Sequence, residues 1–504
     1  MGNSSLRRKG GGEGASWEDL RSLEQEPLTR SSPSSTSSSR TSPTGKRRVL
    51  TAFAFAALAG SLFGYDIGST AVALTQEQAL GDFDIEENSW KQGMLVSCSL
   101  YGALVASLSL FALGEVLGRR QEVLLANGAY LLGSVGSVVP PSHTTFGLIL
   151  LMASRFVYGT GIGLAMHSAP AYVAEIAPQA MRGLLIAMKE AMIVLGILLG
   201  YCAGSVFSSP GGWRSIWGLA SPLALVSLVG MAFQHESPRW LASRSVRQAE
   251  ESLRYFRAQD AVGEEIDGIV AALEVPDPSS SIWSKISEIW SVRKAFFIGG
   301  GLLLLQQVSG QPAVLYFAPT IFTNAGLGTE TSKLASVLVG VVKLFATVVA
   351  SLKVDSFGRV PLLLCGISLM FLALVALALT TAMWQTPSGS RLVIFELMAL
   401  VTAYQIGFGP ISWLILTEVS PLRVRGNMVG LGVSVNFLFN IVATQTLPII
   451  NNAVGMSGLF GIYAVVALLS LGFVRFFVPE TKGRSLEEIE VLLGLSRGGG
   501  GTAA

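Results

Sequence analysis

The sequence predicts an all-α membrane protein in which twelve transmembrane helices form two six-helix bundles joined by cytoplasmic linker helices. Three observations predict this architecture: apolar stretches long enough to cross a bilayer, basic residues on alternate loops, and motifs that occur twice in the same order. The composition agrees, since 50% of the 504 residues are hydrophobic and 13% are charged, whereas soluble domains average about 25% charged residues. A disordered chain, a collagen and an ordinary soluble enzyme are excluded.

The first observation is the set of apolar stretches, each close to the roughly 20 residues that span a bilayer as helix. Several contain glycine or proline, which membrane helices tolerate. The twelve predicted spans are approximately residues 49–74, 90–113, 122–140, 146–170, 184–207, 213–233, 295–322, 332–354, 361–384, 391–416, 427–450 and 457–478.

The second observation, the placement of charge, orients the spans. Basic residues precede span one and follow each even-numbered span, whereas the first loop on the opposite side, residues 75–89, is acidic. Because Lys and Arg collect on the cytoplasmic side of membrane proteins, both termini are predicted to be cytoplasmic.

Composition then divides the chain. Residues 1–45 are rich in Ser, Gly and Arg and are predicted to be a disordered cytoplasmic tail. Residues 46–233 form the N-terminal bundle, and the charged, amphipathic residues 234–294 form a cytoplasmic helical linker. Residues 295–478 form the C-terminal bundle, and residues 479–504 form a cytoplasmic tail.

The third observation is an internal repeat of parallel topology. Gly-Arg follows spans two and eight, Glu-x-x-Pro and a later Arg-Gly follow spans four and ten, and Glu-Ser-Pro-Arg and Pro-Glu-Thr-Lys-Gly follow spans six and twelve. We predict that the charged members form a cytoplasmic gate that closes and opens the inner face. These residues are Arg119, Glu175, Arg182, Glu236, Arg239, Arg359, Glu418, Arg425 and Glu480.

Within this gate, Glu175 is expected to bridge to Arg182, and Glu418 to Arg425. The alternative is a set of exposed ion pairs, each worth at most about 1 kcal/mol. The recurrence of the same pairs in both halves favours the gate.

Charged residues inside membrane spans are costly and indicate function. Asp66 lies in span one and Arg155 in span four, and the two are expected to neutralise each other. Protonation of Asp66 would free Arg155, as a proton-coupled carrier requires. The alternative is a structural ion pair without proton traffic.

Span seven carries Gln306, Gln307 and Gln311, with Gly310 and Pro312 allowing a break in the helix. Gln307 and Gln311 share a helical face because they are four residues apart. Amides both donate and accept hydrogen bonds, which suits an uncharged polyhydroxyl ligand. The alternative is that these amides bond neighbouring helices.

Two further features indicate the same cavity. Trp413 follows a Gly- and Pro-rich segment in span ten, which favours ligand contact over the interfacial belt position usual for membrane Trp. Asn436 and Asn440 are four residues apart in span eleven and face the same side of the helix.

Glu190 in span five and Lys343 in span eight are a further unusual pair, since neither is expected to be charged alone in a membrane. We expect them to pair across the two halves, in or beside the cavity, and both are candidate substrate-binding residues. The alternatives are that each lines a wet cavity independently, or that Lys189 competes for Glu190.

These motifs resemble those of the sugar porters of the major facilitator superfamily, over about residues 49–493. The resemblance rests on Gly-Arg-Arg after span two, Glu-Ser-Pro-Arg after span six, Gln-Gln-x-Ser-Gly in span seven and Pro-Glu-Thr-Lys-Gly after span twelve. Residues 163–167, 189–190 and 409–413 are most similar to plant-type vacuolar and plastidic glucose transporters described as xylose–proton symporter-like.

The resemblance implies a monosaccharide site between the halves, with glucose or xylose as substrate, and alternating access. It places Asp66 on the proton-coupling aspartate and Arg155 on its partner. Glu190, Pro312 and Lys343 depart from the family pattern, as do Glu115 and Val116 in the first cytoplasmic motif. The implied sugar-contact positions are Phe63, Gln306, Gln307, Tyr316, Trp413 and Asn436.

The sequence therefore predicts a secondary carrier rather than an enzyme, with a monosaccharide, a proton and the lipid bilayer as partners. A nucleic-acid partner is not implied by the net charge of +2, and neither a metal nor another cofactor is predicted. A monomer in a vacuolar or other endomembrane is favoured, with the plastid envelope or plasma membrane as alternatives. The functional alternatives are a uniporter, with Asp66 as a structural anion, and a non-transporting sugar sensor.

Overall fold

The computed structural model describes residues 42–75, 78–87, 89–113, 116–259, 262–271, 282–383, 387–421, 424–484 and 486–493. Within these residues every regular element is a helix, which confirms the predicted all-α class. The described residues do not include positions 1–41 of the predicted tail of residues 1–45. They also do not include Glu115 or residues 494–504.

The N-terminal half begins with a capped helix: the Ser42 hydroxyl accepts a hydrogen bond from the Gly45 amide at 3.0 Å, and Pro43 occupies the first helical position. Apolar runs then form long helices interrupted at glycine- and serine-rich turns. The helices are α1 Pro43–Ala73, α2 Ala79–Asp82, α3 Trp90–Leu113, α4 Arg119–Gly136, α5 Thr145–Ile176, α6 Gln179–Val206, α7 Trp213–Gly218 and α8 Ala220–Ala232.

Short helices occupy the predicted linker. In the second of them, Leu253 and Phe256 are buried while Arg247 is exposed, as the amphipathic pattern predicts. The helices are α9 Pro238–Ala242, α10 Val246–Arg257, α11 Gly263–Ala271 and α12 Ile282–Ser291.

The C-terminal half differs from the first in having a span broken into three pieces. Gly310 has φ +82°, a left-handed conformation that ends α13 and starts α14. The helices are α13 Arg293–Val308, α14 Gln311–Tyr316, α15 Ala318–Asn324, α16 Thr329–Phe357, α17 Arg359–Met383, α18 Pro387–Ile406, α19 Phe408–Val419, α20 Arg425–Phe477 and α21 Leu486–Leu492.

Nine helices in the described residues are long and apolar enough to cross a membrane. The longest, α20, contains predicted spans eleven and twelve on either side of Gly455, whose φ of 72° interrupts the helix. Predicted span three corresponds to α4, which carries charges in its first turn, and span seven to the broken helices α13–α15. The count of twelve stays a prediction, and so do the boundaries of the two bundles.

Helices of the N-terminal half approach each other closely at glycines. A Cβ atom at Gly64 would lie 1.7 Å from the Ile193 carbonyl oxygen, and one at Gly68 would lie 2.2 Å from that of Ile197. Small residues of this kind bring membrane helices into backbone contact, so α1 and α6 pack as one unit.

Contacts between the halves are made by hydroxyl groups along α3 and α20. Ser97 Oγ lies 2.8 Å from Thr444 Oγ1, and Ser434 donates to Ser107 at 3.1 Å. On another contact between the halves, Tyr201 of α6 donates to the Leu315 carbonyl at 2.7 Å. These neutral bonds hold the two halves together around the site described below.

Asp82 joins three loops: its own, after predicted span one, and those after predicted spans three and five. Its carboxylate accepts hydrogen bonds at 2.8 Å from Trp213 Nε1 and from Ser142 Oγ, and Arg214 lies 3.6 Å away. Burial alone raises the pKa of Asp82, but these hydrogen bonds and the charges of Arg214 and His143 outweigh it and hold the pKa below its ordinary value. Asp82 therefore stabilises the fold when ionised.

We predict that Asp82→Asn lowers the free energy of unfolding by about 1 kcal/mol at neutral pH, because hydrogen bonds to a charged acceptor are lost. Because the pKa of Asp82 is lowered in the folded state, its contribution to stability is complete at a pH above the ordinary aspartate pKa. That contribution is lost as the pH falls through the pKa of the folded state. Thermal unfolding in detergent at pH 7 and below pH ~3.9 measures both effects. The exposed neighbour provides the control: Asp84→Asn should match the wild type, and equal losses in both variants would contradict the assignment.

Candidate functional site

The centre of the N-terminal half holds a buried ion pair between α1 and α5. Arg155 Nη2 donates to Asp66 Oδ1, and both residues are almost completely buried. Ser99 of α3 donates to the second carboxylate oxygen at 2.7 Å, and Arg155 also donates to Thr70 Oγ1 at 2.7 Å. The structure thus brings together the two intramembrane charges that the sequence predicts to neutralise each other.

The guanidinium of Arg155 also lies against aromatic rings. Its Cζ atom is 4.9 Å from the centre of the Trp217 ring and 5.4 Å from that of Tyr158, within the range of cation–π attraction. Sequence reasoning missed these rings and the hydroxyls of Ser99 and Thr70, since neither type of residue is unusual in a membrane helix. Loss of the Asp66 charge would leave Arg155 with these weaker partners.

The broken span seven carries the predicted amides at a junction with α19. Gln306 Nε2 donates to the carbonyl oxygens of Phe408 at 3.0 Å and Gly409 at 3.3 Å, so one part of the predicted alternative, bonding to a neighbouring helix, is observed. Its Oε1 atom has no partner among the described residues, and further buried polar atoms share this property. They are Gln307 Oε1, Gln311 Nε2, Tyr316 Oη, Asn440 Oδ1 and Tyr463 Oη.

Unpartnered buried atoms are rare, because each costs about 1–3 kcal/mol when water is excluded. Four of the six lie on broken span seven, and Asn440 and Tyr463 lie on α20. The two elements meet at Gly310, where a Cβ atom would lie 2.4 Å from the Tyr463 ring. The cluster offers amide donors, amide acceptors and phenolic hydroxyls. It is complementary to a neutral ligand with several hydroxyl groups.

The remaining predicted contact residues lie on the helices around this cluster. Phe63 of α1 packs edge-on against Phe437 of α20 with ring centres 6.1 Å apart, so the two halves meet at this point. Asn436 is 7% exposed, and Trp413 is partly buried against the core.

The predicted direct pair between Glu190 and Lys343 is wrong in this structure. Lys343 Nζ instead donates to Gln405 Oε1 at 2.8 Å and lies 5.1 Å from the centre of the Tyr404 ring. Gln405 in turn donates to Thr347 at 2.5 Å, which fixes its orientation. Glu190 is half-buried, and its charge attracts Lys343 and the adjacent Lys189 without an ion-pair contact to Lys343. Gln405 was detectable as a polar residue within predicted span ten.

The charged motifs form two similar groups of side chains at helix ends, which we call the first cage and the second cage. Arg119 lies 3.4 Å from Glu175, whose carboxylate also accepts from the Ser237 hydroxyl. In the second cage Arg359 lies 2.9 Å from Glu418, which accepts from Thr481 at 2.6 Å.

The expected partners of Glu175 and Glu418 were therefore wrong. Arg182 donates to the Ala177 carbonyl at 3.3 Å, and Arg425 donates to the Ser420 carbonyl at 3.1 Å. Both arginines follow a helix boundary, so the closest acceptors are the free carbonyl groups at the preceding helix end. Arg239 lies near Arg182, and its positive charge acts on it.

Each cage includes a carboxylate that caps a helix. Glu236 accepts from the Arg120 amide at 2.8 Å, and Glu480 accepts from the amides of Arg359 at 3.1 Å and Val360 at 3.0 Å. Burial alone raises the pKa of Glu480, but these backbone N–H groups outweigh it and keep the pKa below its ordinary value. The cages therefore tie the segments after spans six and twelve to the helix starts after spans two and eight.

The fold and this site define a membrane carrier with a buried ion pair in one half and a neutral polar cluster on broken span seven and α20. A family model described as "Sugar (and other) transporter" matches residues 52–493. The chain belongs to this family, within the major facilitator superfamily, and is a transporter rather than an enzyme.

Individual relatives agree. The chain is 40% identical over 468 residues to an Arabidopsis thaliana protein named D-xylose-proton symporter-like 3, chloroplastic, covering 88% of this chain and 82% of the relative. It is 33% identical to the galactose-proton symporter of Escherichia coli, covering 86% and 92%. Among solved structures, the partially occluded inward-open xylose transporter XylE from E. coli matches with a TM-score of 0.74 and 26% identity, covering 87% of this chain and 100% of that one.

We predict that Gly310→Ala lowers the thermal midpoint in detergent. The left-handed backbone costs an alanine about 1–2 kcal/mol, and the new methyl group must displace the Tyr463 ring. Gly461→Ala is the matched control in the helix that carries Tyr463, because a Cβ atom there meets nothing within 4 Å. Equal midpoints for the two variants would contradict the role of Gly310 as the break in span seven.

Proposed function

We propose that this protein carries a monosaccharide, glucose or xylose, across its membrane by alternating access, with proton coupling through Asp66. The single observation that carries the proposal is the cluster of buried, unpartnered amide and hydroxyl atoms on the broken span seven. The names of the relatives, which include xylose, galactose and protons, support the same substrates.

The sugar site is proposed between the halves. Gln306, Gln307 and Gln311 present acceptors and a donor to ring hydroxyls, while Trp413 and Phe63 offer apolar faces to the C–H side of the sugar. Tyr316 and Asn436 complete the lining. Bound sugar satisfies atoms that otherwise lack partners, so its affinity comes from hydrogen bonds that the empty site cannot make.

The proton acts through the charge of Asp66. When Asp66 is ionised, it holds Arg155 and ties α1 to α3 and α5. When it is protonated, the ion pair is lost, and Arg155 keeps Thr70 and the face of Trp217. The packing of α1 against its neighbours therefore depends on the proton, and α1 also contributes Phe63 to the sugar site.

Orientation and surroundings complete the proposal. The cages lie on the side of the chain termini and are assigned to the cytoplasm because that side carries the basic residues. They are proposed as the cytoplasmic gate of a monomer embedded in the bilayer.

We assign the protein to an endomembrane, with the vacuolar membrane favoured. The name of one relative supports the plastid alternative. A fluorescently tagged chain seen in plastids would overturn the assignment.

The first test concerns the coupling. In proteoliposomes, a gradient of one pH unit with one proton per sugar sustains at most about a tenfold sugar accumulation. We predict that Asp66→Asn reduces this accumulation to equilibration but keeps sugar exchange. The exposed Glu251→Gln variant of the linker is the control and should accumulate sugar as the wild type does.

Equal, gradient-independent uptake by the wild type and Asp66→Asn would establish the uniporter instead. The complete absence of flux, with sugar binding retained, would favour the sensor.

The second test concerns the sugar site. We predict that Gln307→Leu weakens glucose or xylose binding about tenfold, since a hydrogen bond worth about 1–1.5 kcal/mol is removed with little change in volume. Isothermal titration of purified protein measures the effect. Gln234→Leu is the matched control, because Gln234 is also buried with an unpartnered oxygen but lies at the start of the linker. Unchanged affinity in Gln307→Leu would remove span seven from the sugar site.

A further inference from the structure

The N-terminal half contains a buried acid and a histidine that the mechanism above does not use. Glu122, in the first turn of α4, is fully buried, and its Oε2 atom lies 2.9 Å from Nδ1 of His167 on α5. Its Oε1 atom has no hydrogen-bond partner among the described residues and lies 3.9 Å from Arg119 Nη1. A buried carboxylate with so few partners is costly, so the histidine contact is the main support of its charge.

The internal repeat shows that a cage does not need this pair. Counting from the equivalent arginine and glutamate of the second cage, the position of Glu122 is occupied by Leu362 and that of His167 by Pro410. That cage has the ion pair of Arg359 with Glu418 and the helix-capping Glu480, with an apolar residue at each of these two positions. The acid and the histidine are therefore an addition to the first cage rather than part of its common architecture.

The charges of the first cage depend on the histidine. Arg119 faces two carboxylates, Glu122 and Glu175, at 3.9 and 3.4 Å. The 2.9 Å hydrogen bond between His167 Nδ1 and Glu122 Oε2 requires one proton between these two atoms. His167 Nε2, which has no partner among the described residues, is the position that a second proton would take. The resulting imidazolium neutralises the charge of Glu122, so that Arg119 pairs more strongly with Glu175.

The pair is accessible and is not already balanced by its surroundings. The His167 side chain is 23% exposed, so water reaches it, whereas the Glu122 side chain has no exposed surface. Of the other charged groups around these helix ends, Arg257 forms an ion pair with Glu265 and also bonds the Ile176 carbonyl. The rest bond backbone groups: Arg120 bonds Met231 and Ala232, Arg182 bonds Ala177, Glu236 bonds the amides of Arg120 and Gln121, Arg244 bonds Val116, and Lys285 bonds Phe111.

We propose that Glu122 and His167 form a second proton-binding site, separate from Asp66, whose occupancy sets how firmly Arg119 holds Glu175. Proton binding stiffens the first cage, and proton release loosens it, so the pH on the cage side sets how readily that side opens. The inference rests on the proposed transport function, since it needs a carrier whose cages move.

The test is sugar exchange at equal pH on both sides, in the Asp66→Asn background, so that neither a gradient nor Asp66 contributes. We expect exchange to slow about fivefold or more, the lower range of coupling between sites, as pH falls from about 8 to about 5, where histidine gains its proton. Adding His167→Gln to the Asp66→Asn background should make the exchange rate independent of pH over this range. A profile that stays pH-dependent without His167, or that rises with falling pH, overturns the proposal.

Controls separate the outcomes. The chain has three histidines, and His235→Gln and His143→Asn remove the other two. Both variants should keep the slowing of sugar exchange as the pH falls, which we call the pH step. If His235→Gln abolishes the step, the site lies in the linker and the proposal fails. If His167→Gln does not fold, Glu122→Leu with His167→Met gives the first cage the apolar lining of the second and is expected to show the same flat profile. Absence of exchange in the Asp66→Asn background itself would contradict the proposed function rather than this site.

Discussion

Polar groups inside this bundle have no bulk water beside them, so each must bond within the protein or to a ligand. Asp66 meets the requirement within the protein, through Arg155 and the hydroxyl of Ser99. Arg155 meets it in part, because it bonds Asp66 and Thr70 while its Nε atom has no partner among the described residues. The amides of span seven also meet it only in part. The two places differ in charge: opposite charges neutralise each other in the first, whereas the second is a neutral polar cluster, which is why we propose only the second as the sugar site.

The two kinds of site communicate through helix α1. Its glycines bring it into backbone contact with α6, so it moves with that helix rather than bending independently. It carries Asp66, which forms the ion pair, and Phe63, which packs against Phe437 of the other half. A change in the ion pair therefore acts on a contact between the halves through a rigid element, which is the connection that coupled transport requires.

The sequence allowed the intramembrane features to be predicted because a charged or amide residue is rare in an apolar span. Asp66, Arg155 and the glutamines of span seven stood out for this reason, and Gly310 marked the break. The partners of Glu175 and Lys343 were predicted wrongly, because several polar side chains were candidates and the choice among them depends on how the helices pack. Gly455 gave no such signal: its positive φ depends on how the last two predicted spans pack.

The strength of the contacts differs within and between the halves in a way that suits alternating access. The ion pairs of Arg155, Arg119 and Arg359 each lie within one half. The described contacts between the halves include bonds between neutral hydroxyls, such as Ser97 with Thr444, and such bonds contribute only about 0.5–1.5 kcal/mol each. Ion pairs within each half, and hydroxyl bonds among the contacts between the halves, allow the halves to exchange those hydroxyl partners at low cost. The addition of Glu122 and His167 to the first cage alone then makes one half, and not the other, responsive to protons at its helix ends.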